Sequence, residues 1–371
     1  MDSQADLSIE LPQGQPRQYP IYLGEGFDER FTHFFSTHSF TKIFILTEKK
    51  LRAEVQADLI AALQPWQSQL HIVELPTGES TKHISNLEAI FDELIAAGAD
   101  RRSAVIAAGG GVIGDLAGFV AASLLRGVRF VQLPSTLLAM VDSSVGGKVA
   151  VNVNNGKNMV GAFYQPLMVY ANLTYLQTLE KREWLCGLAE MVKHSFLTDD
   201  NGIFDRLVAS AREASSIEGG FSKLSVSVLK DRIKESVSVK ATVVSIDETE
   251  KGLRASLNLG HTAAHAIESL THYKGMTHGE AVSRGLVTAM ILSRDVKGLP
   301  VSQFDEMISL MQKLQLPLDT AGFNADDLLD HMKFDKKNEG GVVKFVLLEK
   351  RGRPVWGIPL DLNQFRAAWA E

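Results

Sequence analysis

Ala104-Val105-Ile106-Ala107-Ala108-Gly109-Gly110-Gly111-Val112-Ile113-Gly114-Asp115 runs from a short apolar segment straight into three glycines and then into the start of a helix. Five apolar residues bounded by turn formers suit a strand covered on both faces. Glycines at such a turn let the backbone approach a pyrophosphate, and the helix N-terminus offers unpaired N–H donors. The spacing is not the GxGxxG fingerprint, so a tight turn remains the plainer alternative. Asp115, expected in the first helical turn, could equally be a capping carboxylate.

Working upstream, Ile43-Phe44-Ile45-Leu46 reads as a buried strand followed by an amphipathic segment over 51–63. His71-Ile72-Val73-Glu74-Leu75 is a second strand, ended by Pro76-Thr77-Gly78-Glu79. Between 82 and 97, Ile84, Leu87, Ile90, Phe91, Leu94 and Ile95 fall on one helical face. Strands alternating with helices predict a parallel sheet of Rossmann-like α/β type. Downstream, residues 134–166 lack periodicity and are rich in glycine, asparagine and lysine. They read as a long functional loop in which Lys148 and Lys157, each beside glycine, suit a phosphate or carboxylate. A solvated connection is the alternative, although Met159, Val160, Phe163 and Tyr164 should be packed.

After Thr178 strand signals fade, which divides the chain into an α/β domain (1–179) and a mainly α-helical one (180–371). In the helix over 182–196, Trp184, Leu185, Leu188, Val192 and Phe196 form the apolar stripe, and Glu190 and Lys193 share a neighbouring face. Glu190 is a candidate metal ligand; a surface ion pair is the competing reading. Over 224–246 the stripe of Leu229, Ile233, Val237 and Val244 is broken by Lys240, which either snorkels or enters a polar cavity. Asn258-Leu259-Gly260-His261-Thr262-Ala263-Ala264-His265-Ala266-Ile267-Glu268 then starts a new helix with His261 and His265 one turn apart, and His278 opens the next. Imidazoles converging from helix starts can hold zinc; capped structural histidines are the alternative. Residues 342–348 and 353–358 look like a small terminal strand pair.

Composition narrows the classes. At 371 residues and 45% hydrophobic, the chain can bury two cores. A net charge of −6 and a pI near 6.0 oppose a nucleic-acid partner recruited by bulk charge. A single cysteine, Cys186, leaves no internal disulfide, fits a reducing cytoplasmic setting, and restricts any zinc site to histidine and carboxylate. No apolar run reaches the roughly 18 residues of a membrane span.

Taken in order, these segments resemble the 3-dehydroquinate synthases of the sugar-phosphate cyclase superfamily, over nearly the whole chain after about residue 40. The likeness rests on Gly110 to Asp115, Val141-Asp142-Ser143-Ser144-Val145-Gly146-Gly147-Lys148, Gly156-Lys157-Asn158, Gly187-Leu188-Ala189-Glu190-Met191-Val192-Lys193, Leu257-Asn258-Leu259-Gly260-His261-Thr262 and His278-Gly279-Glu280-Ala281-Val282. It implies a homodimer with an NAD-binding α/β domain, an all-α metal-binding domain and an active site in the cleft between them. Zn2+ or Co2+ would be held by Glu190, His261 and His278, which makes His265 a substrate contact. NAD would lie against Glu79, Lys82, Gly111, Val112, Ile113, Gly114, Asp115, Ser135, Thr136, Lys148, Lys157, Tyr175, Leu176, Gln177 and Thr178. A sugar-phosphate substrate would meet Asp142, Lys148, Asn158, Lys193, Lys240, Arg254, Asn258, His265 and Lys336, with Arg126 reaching over from the partner subunit.

The implied reaction, on the shikimate route to chorismate and the aromatic amino acids, turns 3-deoxy-D-arabino-heptulosonate 7-phosphate into 3-dehydroquinate and phosphate. It proceeds by transient oxidation with NAD, phosphate elimination, reduction and an intramolecular aldol. The chain departs from the family pattern at Ala263-Ala264 (usually Phe-Gly), Glu180 (Pro), Ser135 (Thr), Thr77 (Asp) and Glu48 (Asp or Asn). A valiolone- or inosose-type synthase, a metal-dependent alcohol dehydrogenase and a non-enzymatic binding protein are the competing readings.

Overall fold

The computed structural model describes residues 18–371 except 50, 52, 200, 273 and 334–342. The apolar run at residue 104 forms a strand, and its neighbours alternate as expected. They are β1 (Ile21–Gly24), α1 (Glu29–Thr37), β2 (Ile43–Glu48), α2 (Ala53–Ala62), β3 (Leu70–Leu75), α3 (Leu87–Ala96), β4 (Ala104–Gly109), α4 (Gly111–Ser123) and β5 (Arg129–Pro134). β6 (Lys148–Val153) and β7 (Gly156–Phe163) pair antiparallel with each other, and β8 (Met168–Asn172) returns to the main sheet.

That sheet has six strands in the order β1-β8-β5-β4-β2-β3, all parallel. Successive side chains of β2 serve opposite faces. Phe44 and Leu46 join α3 and α4 in one core, while Ile43 and Ile45 meet Phe31, Phe35 and Leu59 of α1 and α2 in another. The strand order reverses between β2 and β4, and the carboxyl edge at such a switch is where open α/β sheets take ligands.

From residue 181 the chain is mainly helical: α5 (Lys181–Leu197), α6 (Asn201–Ser215), α7 (Val226–Ile246), α8 (His261–Leu270), α9 (His278–Leu292), α10 (Val301–Lys313) and α11 (Ala325–Lys333). The expected terminal strand pair is β9 (Lys344–Lys350) against β10 (Arg353–Pro359), followed by α12 (Leu362–Ala370). Local chemistry sets several starts. Ser225 caps α7, and Thr277 with Glu280 forms a capping box that fixes the first turn of α9.

Four expectations are corrected. Residues 148–163 are a hairpin, not a loop: Val149 and Val151 turn inward beside α4, and Asn154-Asn155 makes the turn. Within it Phe163 is exposed instead of packed. The helix after β3 begins only at Leu87, because residues 79–86 form two short 3-10 turns committed to polar contacts, and Ile84 and Ile95 lie exposed. Finally, α4 already begins at Gly111, so Asp115 stands beyond the first turn and its carboxylate meets Lys82 instead of capping.

The first turns of α8 and α9 are brought together by glycine. Gly260, at φ 78°, is in the left-handed region, and a Cβ on Gly285 would lie 2.0 Å from its carbonyl oxygen. Gly285→Ala is therefore expected to lower the unfolding free energy by about 3 kcal/mol through overpacking against unyielding backbone, as read from urea unfolding.

Candidate active site

Glu190 sits in the middle of α5, a helix buried on nearly every side, and is itself fully enclosed. A buried carboxylate survives only with partners. The Lys193 ammonium, one turn on, lies against Oε2, so the competing surface-pair reading is wrong: both side chains are in the interior. Oε1 faces His278 Nε2 at 3.3 Å and His261 Nε2 at 3.5 Å. Burial opposes the charge on Glu190, yet Lys193 and the imidazoles hold its carboxyl well below the usual range.

Each imidazole is oriented from behind. His261 Nδ1 is 3.1 Å from the Leu259 carbonyl oxygen, which keeps the proton there and turns the Nε2 lone pair inward. His278 Nδ1 is 3.2 Å from Glu268 Oε1. Burial and Lys193 push His261 well below its ordinary value. For His278 burial acts the same way but is outweighed by Glu190 and Glu268, which lift it to about 10. One ligand atom from each of Glu190, His261 and His278 lies within 4.8 Å of the others. Glu190 Oε2 also has no well-formed hydrogen bond. Two imidazoles and a carboxylate converging on one point fit a divalent ion with coordination positions left open. The thiol of Cys186 takes no part: it is buried, pushed up to about 12 by that burial, and accepts the Gly279 N–H. His265 is half-buried, its ring 5.5 Å from that of His261.

Around this cluster the expected substrate groups gather from both halves. Lys240 is buried and does not snorkel, donating to the backbone and carboxylate oxygens of Asp142, both at 2.6 Å. Burial works against the Asp142 charge, but Lys240 holds its carboxyl far below normal. Arg254 is buried and donates to the carbonyls of Gly146 (2.9 Å) and Glu248. Lys148 pairs with Glu250, which also accepts from Asn258 at 2.6 Å. Asn158 accepts from Lys82, and Lys82 also meets Asp115. Lys157 stands 3.7 Å from both Glu79 and Glu268.

The expected nucleotide residues mostly follow the carboxyl edge of the sheet. Gly111, Val112, Ile113 and Gly114 open α4, Ser135 and Thr136 follow β5, and Tyr175, Leu176, Gln177 and Thr178 form the turn after β8. Arg126 is apart from these, exposed in a left-handed turn at φ 68°. Lys336 lies outside the described residues. Glu250 and Glu268 are site carboxylates that the sequence reading passed over. Glu268 had a signal, since it falls seven residues after His261 on the same helix face.

The fold and this cluster define a protein in which a Rossmann-like sheet joins a mainly helical half that carries a candidate metal centre. Residues 72–186 match the family model for the N-terminal part of 3-dehydroquinate synthase, and residues 187–338 match that for its C-terminal part. The chain is 46% identical over 321 residues to the 3-dehydroquinate synthase of Leptospira interrogans serogroup Icterohaemorrhagiae serovar copenhageni, covering 86% of each chain. A crystal structure of 2-deoxy-scyllo-inosose synthase complexed with carbaglucose-6-phosphate, NAD+ and Co2+ is 25% identical, with a TM-score of 0.80 over 94% of this chain and 95% of that one. The 2-epi-5-epi-valiolone synthase of Streptomyces hygroscopicus subsp. jinggangensis 5008, 22% identical, shares the fold at a TM-score of 0.84 over 98% of each. The chain belongs to the 3-dehydroquinate synthase family.

One buried titratable group near the cleft gives a measurable consequence. His194 bonds Ser236 at 2.8 Å, and its Nε2 is 3.9 Å from Asp142 Oδ1. Burial, reinforced by Lys193, pushes its pKa down to about 3. Its stabilising share is thus complete above the unfolded value of about 6.5 and is lost as pH falls toward 3. Between about pH 4 and 6 the wild type should lose roughly 1.4 kcal/mol more per pH unit than His194→Gln in urea unfolding. Equal slopes would mean that the native imidazole is already charged.

Proposed function

We propose that the protein converts 3-deoxy-D-arabino-heptulosonate 7-phosphate into 3-dehydroquinate and phosphate. The observation that carries this reading is the buried Glu190 facing two imidazoles, with Lys193, Lys240, Lys148 and Arg254 around the same cleft. A substrate bearing a carboxylate, a phosphate and vicinal hydroxyls matches that mixture of cations and donors. The donor set of Glu190, His261 and His278 fits Zn2+ or Co2+. When bound, such an ion supplies Lewis acidity to the hydroxyls, and NAD+ supplies a hydride acceptor that is regenerated within each cycle.

The chain's own residues bind and orient. Lys240 and Arg254, held by Asp142 and by backbone carbonyls, sit ready to exchange those partners for the substrate carboxylate. Lys148, Asn158, His265 and Lys336 take the phosphate, with Arg126 supplied by the neighbouring subunit of a homodimer. Glu79, Lys82, Lys157 and the start of α4 receive the nucleotide, supported by the reversal of strand order between β2 and β4. The division into units 1–179 and 180–371 is favoured by the change from β8 to α5. Among the described residues no helix is long and apolar enough to cross a membrane. A cytoplasmic location completes the reading, and the lone buried Cys186 suits it.

The test is release of inorganic phosphate from the heptulosonate phosphate, compared with sedoheptulose 7-phosphate and repeated with a chelator. Turnover of the first substrate only, abolished by chelation and without net change in NADH absorbance, is expected. Preference for sedoheptulose 7-phosphate would point to a valiolone-type synthase, and bulk NADH to a dehydrogenase. Glu190→Ala and His278→Ala should each lose bound metal and turnover together. Lys148→Ala should lower kcat/KM about 100-fold or more, the cost of losing a hydrogen bond to a charged group plus its positioning, with the melting temperature unchanged.

A further inference from the structure

Glu268 has no task in the reading above, yet its position is specific. It lies on the same face of α8 as His261, is 6% exposed, and uses a single oxygen for two cations. Its Oε1 is 3.2 Å from His278 Nδ1 and 3.7 Å from Lys157 Nζ. Lys157 in turn stands 3.7 Å from Glu79 Oε1, which accepts from Asn152 at 2.8 Å. A continuous line of contacts therefore runs from Glu190 through His278, Glu268 and Lys157 to Glu79. It crosses from the helical half to the sheet half.

We propose that Glu268 is a positioning residue that sets His278 for the metal ion and makes metal affinity depend on the state of Lys157, coupling metal binding to nucleotide binding. This rests on the metal and nucleotide sites proposed above. A carboxylate on Nδ1–H fixes the tautomer that presents the Nε2 lone pair beside Glu190, and it raises the basicity of that nitrogen. While Lys157 stays near Glu268, part of the carboxylate's field is spent on the ammonium. A nucleotide pyrophosphate drawing Lys157 toward itself leaves Glu268 to His278 alone, so the ion is held more tightly. By linkage the ion must then favour the nucleotide by the same factor.

Co2+ binding is the readout, followed by calorimetry and by the visible absorption of the bound ion, with and without NAD+. The wild type should bind Co2+ and bind it several-fold more tightly when NAD+ is present. Glu268→Gln, nearly isosteric, should weaken Co2+ binding about 10- to 100-fold, alter the absorption band and remove the NAD+ dependence. Lys157→Met should bind Co2+ more tightly than wild type without NAD+, and this second variant decides the matter if Glu268→Gln does not fold. A role confined to the stability of α8 would lower the melting temperature and leave band and affinity alone. Wild-type affinity and an unchanged band in Glu268→Gln, or no gain in Lys157→Met, overturn the inference while leaving the proposed reaction standing. Failure of the wild type itself to bind Co2+ overturns both.

Discussion

The structure turns on a negative charge held where there is no water to support it. Glu190 is enclosed by α5 and its neighbours, and two groups compensate it, Lys193 from the same helix and His278 from the start of α9, while His261 from the start of α8 faces the same oxygen. Removing any one leaves the others uncompensated, which is why a buried pair is far more costly to break than to replace as a unit. The helices that carry these groups are therefore obliged to meet at one point. Gly260 and Gly285 allow it by letting backbone approach backbone.

The sheet side answers with geometry more than with charge. Every strand of the six-stranded sheet points its carboxyl end the same way, and the turns after β4, β5 and β8 open on that edge. The hairpin of β6 and β7 leans from this edge toward the helical half, with Lys148 at its first residue and Lys157 near its turn. Contacts such as Lys148 to Glu250 and Lys240 to Asp142 then join groups about a hundred residues apart. The two halves are thus bridged by ion pairs between their side chains.

Much of this was legible in the residues, and the failures have physical causes. The strand and glycine turn at 104–111, the helix over 226–246 and the histidines at two helix starts follow from periodicity and capping chemistry. The hairpin at 148–163 was missed although Val149, Val151 and Val153 alternate before an Asn-Asn turn, because the glycines around it suggested a loop. For Glu190 and Lys193 the spacing alone left a surface ion pair open, and burial on all sides of α5 rules that alternative out. Its non-polar residues in fact surround the helix, and polar groups in such a helix must be interior. Glu250 had no local signal at all, since its partner Lys148 comes from a remote strand.

One irregularity in the hairpin carries a wider meaning. The register shifts between Val151↔Val160 and Val153↔Gly156, so residues 157–159 bulge opposite Asn152, and Asn158 takes φ 56°. Its backbone N–H is satisfied by Asn152 at 2.9 Å while its amide oxygen accepts from Lys82. Asparagine tolerates that left-handed conformation better than almost any residue with a side chain. Glycine would keep the bend and lose the amide, and glutamine would keep an amide and strain the bend. Two independent demands, one of shape and one of chemistry, thus fall on one side chain, and a replacement that meets only one of them gives up the other.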